Sequence, residues 1–488
     1  MSESTTSVES HDYQMFVDGR WQAAAAGATA QAWSPATGEV IGTVPDGDRD
    51  DARTAIAAAR RAAPVWERLS AFDRATMLHR VADVIESRRD HLARTLTLDQ
   101  GKPLRTEAYD EVAELVLYWR MAAEDGKRLG GFLPNSASTG KRALLVRRPL
   151  GVVGVISPWN WPYTMPSELV APALGAGNTV VWTPAPSTSV CAVALAECVA
   201  EADLPAGVFN LVTGPGPVVG DEIARSADTD AVAFIGSTAT GRLVAAAAAG
   251  KPAVLEMGGN GPIVVMDDAD LDRAVEGVVG ACFLCAGQSC TAGERLLVHE
   301  RVREEFTDRL AAAVQAQVHL GDPFDDATTM GPLNNAGVAV KMDEHVADAI
   351  DRGATVVTGG AREAGRPTDL YWEPTVLSGV PADAVAATEE TFGPIAPVVS
   401  ISSLDEAIAL TNASPYGLLA GIYTRDLATG MAFADAVRTG WVNINESSNY
   451  WESHLPFGGR SGTDSGRGRV GGAHVLEAFS ELQTVIIG

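Results

Sequence analysis

The sequence predicts an α/β protein of two units, each built on a parallel sheet, with a small β arm besides. Three observations carry this. Between residues 151 and 235, apolar runs of strand length alternate with helix-length segments, as a parallel sheet with crossover helices requires. From Pro262 a second alternation of the same kind begins, and no low-complexity linker separates the two. Residues 142–148 and 485–487 have strand character and no obvious partner within the chain.

In chain order, residues 16–44 read as short strands with turns at Asp18-Gly19 and Thr37-Gly38. Residues 50–100 carry an Ala- and Arg-rich helical pattern, a further helix covers 105–124, and Gly130-Gly131 breaks it. In 142–148, Leu144 and Val146 alternate with basic neighbours. The first sheet then takes strands at 151–156, 180–182, 208–212 and 231–235, with an amphipathic helix at 187–202 and another helix at 218–224. No G-x-G-x-x-G follows its first strand. Instead Gly236-Ser237-Thr238-Ala239-Thr240-Gly241 joins a strand to an Ala-rich helix, and the amides of such a junction can receive a pyrophosphate. The second unit has strands at 262–266 and 296–298 and helices beginning at 271 and 304. It also carries Glu390-Thr391-Phe392-Gly393, Tyr416-Gly417-Leu418, Trp441-Val442-Asn443 and Pro456-Phe457-Gly458-Gly459. The chain closes with 473–487. Parallel sheets bind ligands at the carboxyl ends of their strands, so a site is expected between the two units.

With 488 residues, 46% of them apolar, the chain can bury a sizeable core in two or three domains. Its 37 basic and 62 acidic side chains give a net charge of −25, which argues against nucleic acid and anionic membrane as partners. No apolar run reaches the ~18 residues of a transmembrane helix. Residues 1–12 are polar, lack the basic start and apolar middle of a signal peptide, and read as a disordered tail. The cysteines, 191, 198, 282, 285 and 290, are odd in number, and the expectation is a cytoplasmic protein without a disulfide framework. Cys282 and Cys285 sit in an apolar helix pattern with no second Cys or His pair at zinc spacing, so no metal site is expected.

One stretch organises the rest. Leu271, Ala274, Val275, Val278, Val279, Cys282 and Phe283 recur at helical spacing behind Asp270, a residue suited to cap the start. The pattern stops at Gly287, which leaves Cys290 in a loop where a substrate can approach a thiol. Upstream, Glu256 ends a strand before Gly258-Gly259, and Ser157-Pro158-Trp159-Asn160-Trp161-Pro162 follows another. Together these three segments resemble the signature segments of the aldehyde dehydrogenase superfamily, and the resemblance runs from Phe16 nearly to the last residue.

The resemblance implies a non-acylating, NAD(P)-dependent enzyme that oxidises an aldehyde to its acid. It implies a Rossmann-like dinucleotide-binding domain at 1–130 and 149–258 and a catalytic domain at 259–462. Residues 131–148 and 463–488 would form an oligomerisation arm that pairs with a neighbouring subunit in a homodimer or homotetramer. Cys290 would be the nucleophile, Asn160 an oxyanion donor with the Cys290 N–H, and Glu256 the base that activates water against the thioester. Ser157, Trp159, Thr183, Gly236, Ser237, Glu390 and Phe392 match positions that contact the cofactor. Trp161, Met165, Glu168, Phe283, Thr291 and Trp451 match the substrate pocket, with Tyr450 and His454 nearby. Two indoles and a Phe, with no Arg among them, point to an aromatic or apolar aldehyde.

The sequence departs from the family at the adenosine end. Where the family commonly has a Lys and a Glu, this chain has Thr183 and Pro186. NAD is therefore expected, with NADP possible and selectivity weak. The loop 460–470 also has unusual spacing. Two rivals stand beside this reading. One is a CoA-acylating relative, against which Glu256 speaks. The other is a catalytically silent ligand-binding relative, against which the presence of Cys290, Glu256 and Asn160 speaks together.

Overall fold

The computed structural model describes residues 11–488. The tail expected at 1–12 thus falls outside the described residues up to position 10, and its last two residues depart from the expectation. His11–Asp12 is a strand that pairs in parallel with Val40–Pro45, which in turn pairs antiparallel with Thr29–Trp33.

An eight-stranded sheet forms the first unit. Its spatial order is Gly466–Arg467, Ala253–Glu256, Ala231–Ile235, Val152–Ile156, Thr179–Thr183, Phe209–Leu211, Met15–Val17, Arg20–Gln22. The five central strands are parallel, and the outer ones are antiparallel additions. Crossover helices include Thr164–Gly175, Ser189–Glu201 and Thr238–Ala247. The helical stretch expected at 50–100 divides into Arg49–Arg68, Ala71–Ser87 and Arg89–Gln100, followed by Tyr109–Arg128. Helix Ser189–Glu201 is buried almost all round, where the sequence suggested an amphipathic one. It lies between the sheet and the long N-terminal helices and so has no wet face.

The second sheet has seven strands in the order Thr355–Thr358, Thr375–Ser378, Ile395–Ile401, Arg295–His299, Pro262–Val265, Leu419–Tyr423, Trp441–Ile444, all parallel except the first. A separate core of Ile263, Val278, Leu296, Phe306 and Val398 underlies it.

The two strand-like segments without an obvious partner find one in each other. Arg142–Pro149 pairs antiparallel with Ser480–Ile487, from Pro149 opposite Ser480 to Arg142 opposite Ile487. The expected arm at 463–488 is only partly separate, because Gly466–Arg467 is an edge strand of the first sheet beside Leu255 and Glu256. Among the described residues, no helix is long and apolar enough to cross a membrane and no cluster is suited to a metal ion.

Candidate active site

The first sheet delivers side chains to one place because its parallel strands all end there. Strand Val152–Ile156 runs into Ser157-Pro158-Trp159-Asn160, Thr179–Thr183 ends on Thr183, Ala231–Ile235 runs into Gly236-Ser237, and Ala253–Glu256 ends on Glu256. The second sheet faces them with the loops that precede its strands: Cys290 before Arg295–His299, Glu390 and Phe392 before Ile395–Ile401, and Leu418 before Leu419–Tyr423. Between them is a cavity of about 740 Å³ whose walls include all of these residues together with Met165, Lys341 and Phe457.

Cys290 reaches this cavity as the sequence suggested, although the helix ends sooner. Asp270 caps Leu271–Phe283 by accepting the Arg273 N–H, and the last helical residue is Phe283. Cys285 lies beyond the helix rather than inside it. Cys285, Ala286 and Gly287 are all left-handed, at φ 54°, 52° and 71°. This tight reversal aims Gln288 and Ser289 inward and leaves the Cys290 thiol partly accessible, whereas the other four cysteines are buried and free. Desolvation first, then the carboxylates of Glu390, Glu256 and Glu168, hold the Cys290 thiol well above the usual thiol range.

Asn160 is 2% exposed and donates from Nδ2 to the Gln288 carbonyl at 2.9 Å. A side-chain amide has two N–H groups, so one is tied to the Cys290 loop and the second is left for another acceptor in the cavity. Glu256 is 4% exposed, and neither of its oxygens has a hydrogen-bond partner. Desolvation pushes its carboxyl well above the usual range, Arg469 and the nearby Gly459 N–H, which falls short of hydrogen-bond geometry, oppose it, and Glu168 adds to it. Gly458, at φ 152°, lies against this carboxylate, and a Cβ there would collide with Glu256 Oε1.

Opposite, Glu390 accepts the Gly259 N–H at 2.8 Å, and a Cβ on Gly258 would lie 2.6 Å from both Glu390 oxygens. The rings of Trp159 and Phe392 meet edge to face at 5.5 Å between centroids. Phe392 is left-handed, at φ 57°, a conformation that costs a bulky residue about 1–3 kcal/mol. Glu294 holds it there by accepting the N–H groups of Thr391 and, at 2.9 Å, Phe392. Ser157 accepts the Trp182 indole N–H at 2.8 Å. The Thr183 hydroxyl is buried with no partner, an orphan that a bound polar ligand would satisfy. Ser237 caps helix Thr238–Ala247 by accepting the Thr240 N–H, Gly236, Ser237 and Thr240 lie on the cavity wall, and a Cβ on Gly236 would lie 2.7 Å from the Phe234 ring. An orphaned hydroxyl, a helix N-terminus and closely approaching glycine backbone fit a dinucleotide.

Five of the six expected pocket residues are not on this cavity's wall. Trp161 packs beneath the Lys102 ammonium, 3.1 Å from its ring centroid. Phe283 is core, at 3% exposure. The Thr291 hydroxyl bonds to Asn449 Oδ1 at 2.6 Å. Trp451 packs on Phe457 and Tyr118, with ring centroids 5.5 and 6.2 Å away, one layer behind the wall. Glu168 points into a separate small recess with Tyr118, and burial pushes its carboxyl up to about 8. Tyr450 is exposed and bonds to Glu452, and His454 pairs with the same residue.

The sequence reading assigned no role to Glu294, Lys341 or Phe457. Phe457 lies in the Pro456-Phe457-Gly458-Gly459 motif and Glu294 lies four residues after Cys290, so position in the sequence is the signal for both. Lys341, which donates to the Glu390 carbonyl at 2.6 Å, is a single cation on helix Ala336–Asp351 and leaves no pattern. The loop of unusual spacing braces Glu256. Ser465 donates to the Gly258 carbonyl at 2.7 Å, accepts the Gly417 N–H at 3.1 Å, and its own carbonyl takes the Met257 N–H.

A cleft between two α/β sheets, with one accessible thiol facing buried carboxylates at the ends of parallel strands, is the architecture of an enzyme. The sequence pattern of the aldehyde dehydrogenase family matches residues 21–485. The chain is 40% identical over 478 residues to the succinate-semialdehyde dehydrogenase [NADP(+)] of Escherichia coli (strain K12), covering 97% of this chain and 98% of that protein. It is also 40% identical over 477 residues to the glutarate-semialdehyde dehydrogenase of Pseudomonas aeruginosa, covering 97% of each. The crystal structure of an NAD-dependent aldehyde dehydrogenase from Sinorhizobium meliloti superposes with a TM-score of 0.95 at 38% identity, over 99% of this chain and 97% of that one. The chain belongs to the aldehyde dehydrogenase family, whose members oxidise aldehydes to carboxylic acids.

Proposed function

We propose that Cys290 attacks an aldehyde carbonyl, that Asn160 and the Cys290 N–H receive the oxyanion, and that Glu256 activates the water that hydrolyses the resulting thioester. The observation that carries this reading is the convergence of the three side chains on one cavity, with both Glu256 oxygens free of partners. Burial disfavours the charged form of both the Cys290 thiol and the Glu256 carboxyl, so thiolate attack and water activation both gain as pH rises. Bound NAD(P)+ supplies the hydride acceptor. Thr183, Gly236, Ser237, Glu390 and Phe392 would hold it, with Trp159 beside the Phe392 ring. Neither Thr183 nor Pro186 discriminates the 2′ position by charge, and Arg225 and Asp221 on the same wall are paired with each other at 2.7 Å, which supports weak NAD/NADP selectivity.

For the substrate we infer an apolar or aromatic aldehyde. Met165, Leu418 and Phe457 on the cavity wall support it, and Trp161 and Trp451 are half-buried outside that wall. Of the wall's two cations, Lys341 donates to the Glu390 carbonyl and Arg225 pairs with Asp221, and no arginine lies beside Cys290, where Glu256 and Glu390 stand. The names of the relatives favour a second reading, a semialdehyde that bears a carboxylate. A screen of benzaldehyde, hexanal, succinic semialdehyde and glutaric semialdehyde with each dinucleotide decides. A higher kcat/KM for benzaldehyde or hexanal supports the first reading, and the reverse order supports the second.

The same reading takes the two sheet units as cofactor and catalytic domains at the boundaries given above. It takes the chain as a cytoplasmic protein and as a homo-oligomer, the latter supported by Leu482, Val485, Ile486 and Ile487, which are exposed on a two-stranded ribbon whose Ser480–Ile487 edge is unpaired.

A further inference from the structure

Behind the cavity lies a buried polar network with no part in the chemistry described so far. Lys102 and Glu111 form an ion pair of 2.6 Å in which both side chains have 0% exposure. Replacing such a pair with apolar residues is often neutral or stabilising, so stability alone does not account for it. Its contacts lead to the site from two sides. On one side, Glu111 Oε1 accepts the N–H groups of Tyr163 at 3.0 Å and Thr164 at 3.3 Å, and the Lys102 ammonium sits 3.1 Å from the Trp161 ring centroid. These anchors grip the turn that carries Asn160.

On the other side, Glu107, one helical turn before Glu111, accepts the Cys285 N–H at 3.0 Å. Cys285 opens the left-handed reversal that leads to Cys290. Gln100 donates to Cys285 Sγ at 3.5 Å, and its carbonyl accepts from Asn334 at 3.3 Å. The Asn334 N–H bonds to Gln288 Oε1 at 2.9 Å, and Gln288 Nε2 closes the ring on the Cys285 carbonyl at 2.8 Å. The Asn160 turn is thus tethered to Lys102 and Glu111 and the Cys290 loop to Glu107, and the two meet in the bonds from Asn160 Nδ2 to the Gln288 carbonyl and from Cys285 Sγ to the Asn160 carbonyl at 3.6 Å.

We propose that Lys102, paired with Glu111 and seated on Trp161, is a positioning residue that sets Asn160 against the Cys290 loop and so fixes where the oxyanion is received. The ammonium orients the Glu111 carboxylate toward the Tyr163 and Thr164 amides and pins Trp161, the residue next to Asn160. Without it the turn stays folded but its amide loses its aim, and a loss of about 1 Å in such a placement is costly to rate.

This proposal rests on Cys290 being the nucleophile, and the test separates the two. p-Nitrophenyl acetate acylates a thiolate through a tetrahedral oxyanion, with the S–C bond formed and p-nitrophenolate expelled, and it needs no dinucleotide. The burst amplitude counts competent thiols, and the burst rate constant reports oxyanion stabilisation at each one. Lys102→Met should keep the amplitude near one per chain and lower the rate constant at least tenfold. Dinucleotide binding, followed by fluorescence quenching, should stay within about twofold of the unchanged protein. Should the single variant not fold, Lys102→Met with Glu111→Gln removes both buried charges and should show the same low rate at full amplitude. A rate constant within twofold of the unchanged protein overturns the proposal. So does a lost amplitude with an unchanged rate per site, which is what a purely structural role produces. Cys290→Ala should abolish the burst, and a surviving burst there would overturn the nucleophile assignment instead.

Discussion

Replacing Asn160 with alanine removes one side-chain amide and two separable contributions. The first is structural. Nδ2 donates to the Gln288 carbonyl at 2.9 Å inside a site where Asn160 is 2% exposed, and an orphaned buried carbonyl costs about 1–3 kcal/mol. The second is kinetic. The amide's other N–H is free for the oxyanion, and losing one such donor costs about 2.7–4 kcal/mol of barrier, or about a hundred- to a thousandfold in rate. The two are read by different assays. Thermal unfolding should show a lower midpoint for Asn160→Ala. Rapid mixing with saturating aldehyde and dinucleotide should show reduced cofactor forming about a hundred- to a thousandfold more slowly, at near-full amplitude. Asn160→Asp should do no better, because a carboxylate cannot donate and would face the Gln288 carbonyl. A rate loss under tenfold in Asn160→Ala, with dinucleotide binding intact, would refute the reasoning.

Three further outcomes are expected. Glu256 is pushed well above the usual carboxylate range by burial, so the base form gains population only as pH rises, and hydrolysis-limited turnover should climb into the alkaline range. Glu256→Gln should lose that climb and show one burst of reduced cofactor followed by slow turnover, and CoA should not restore the rate. Pro186→Glu should shift preference toward NAD by weakening NADP, read as kcat/KM for each at one ionic strength, since a carboxylate at that wall repels a 2′-phosphate. Glu168, pushed up to about 8, stays neutral in the fold while it ionises above about 4.3 in the unfolded chain. Its contribution to stability is full below the unfolded value and is lost as pH rises through about 8. Glu168→Gln should therefore flatten the fall in unfolding midpoint between about pH 5 and 9.

What the sequence revealed follows from what leaves a local pattern. The helix Leu271–Phe283 and its Asp270 cap were legible because periodicity and capping are local. So were the strands ending on Thr183, Ile235 and Glu256, whose all-apolar runs mark strands covered on both faces. The reversal at Cys285 was not legible, because Cys and Ala do not announce left-handed backbone, and the apolar pattern ran on to Gly287. Nor was the pairing of Arg142–Pro149 with Ser480–Ile487, partners more than 300 residues apart. Trp161 and Trp451 match the substrate pocket by family position; both are half-buried, one under Lys102 and the other against Phe457, and neither lines the cavity between the sheets.

The most direct test of the central claim is the mass of the covalent intermediate. Glu256→Gln, mixed with aldehyde and dinucleotide, quenched in acid and digested, should yield a Cys290-containing peptide heavier by the acyl group. The peptide of Cys191 and Cys198 should be unmodified, and fragmentation should assign the adduct to Cys290 rather than Cys282 or Cys285. A variant that reduces its dinucleotide once yet carries no acyl group, or carries it on Cys285, would contradict the account.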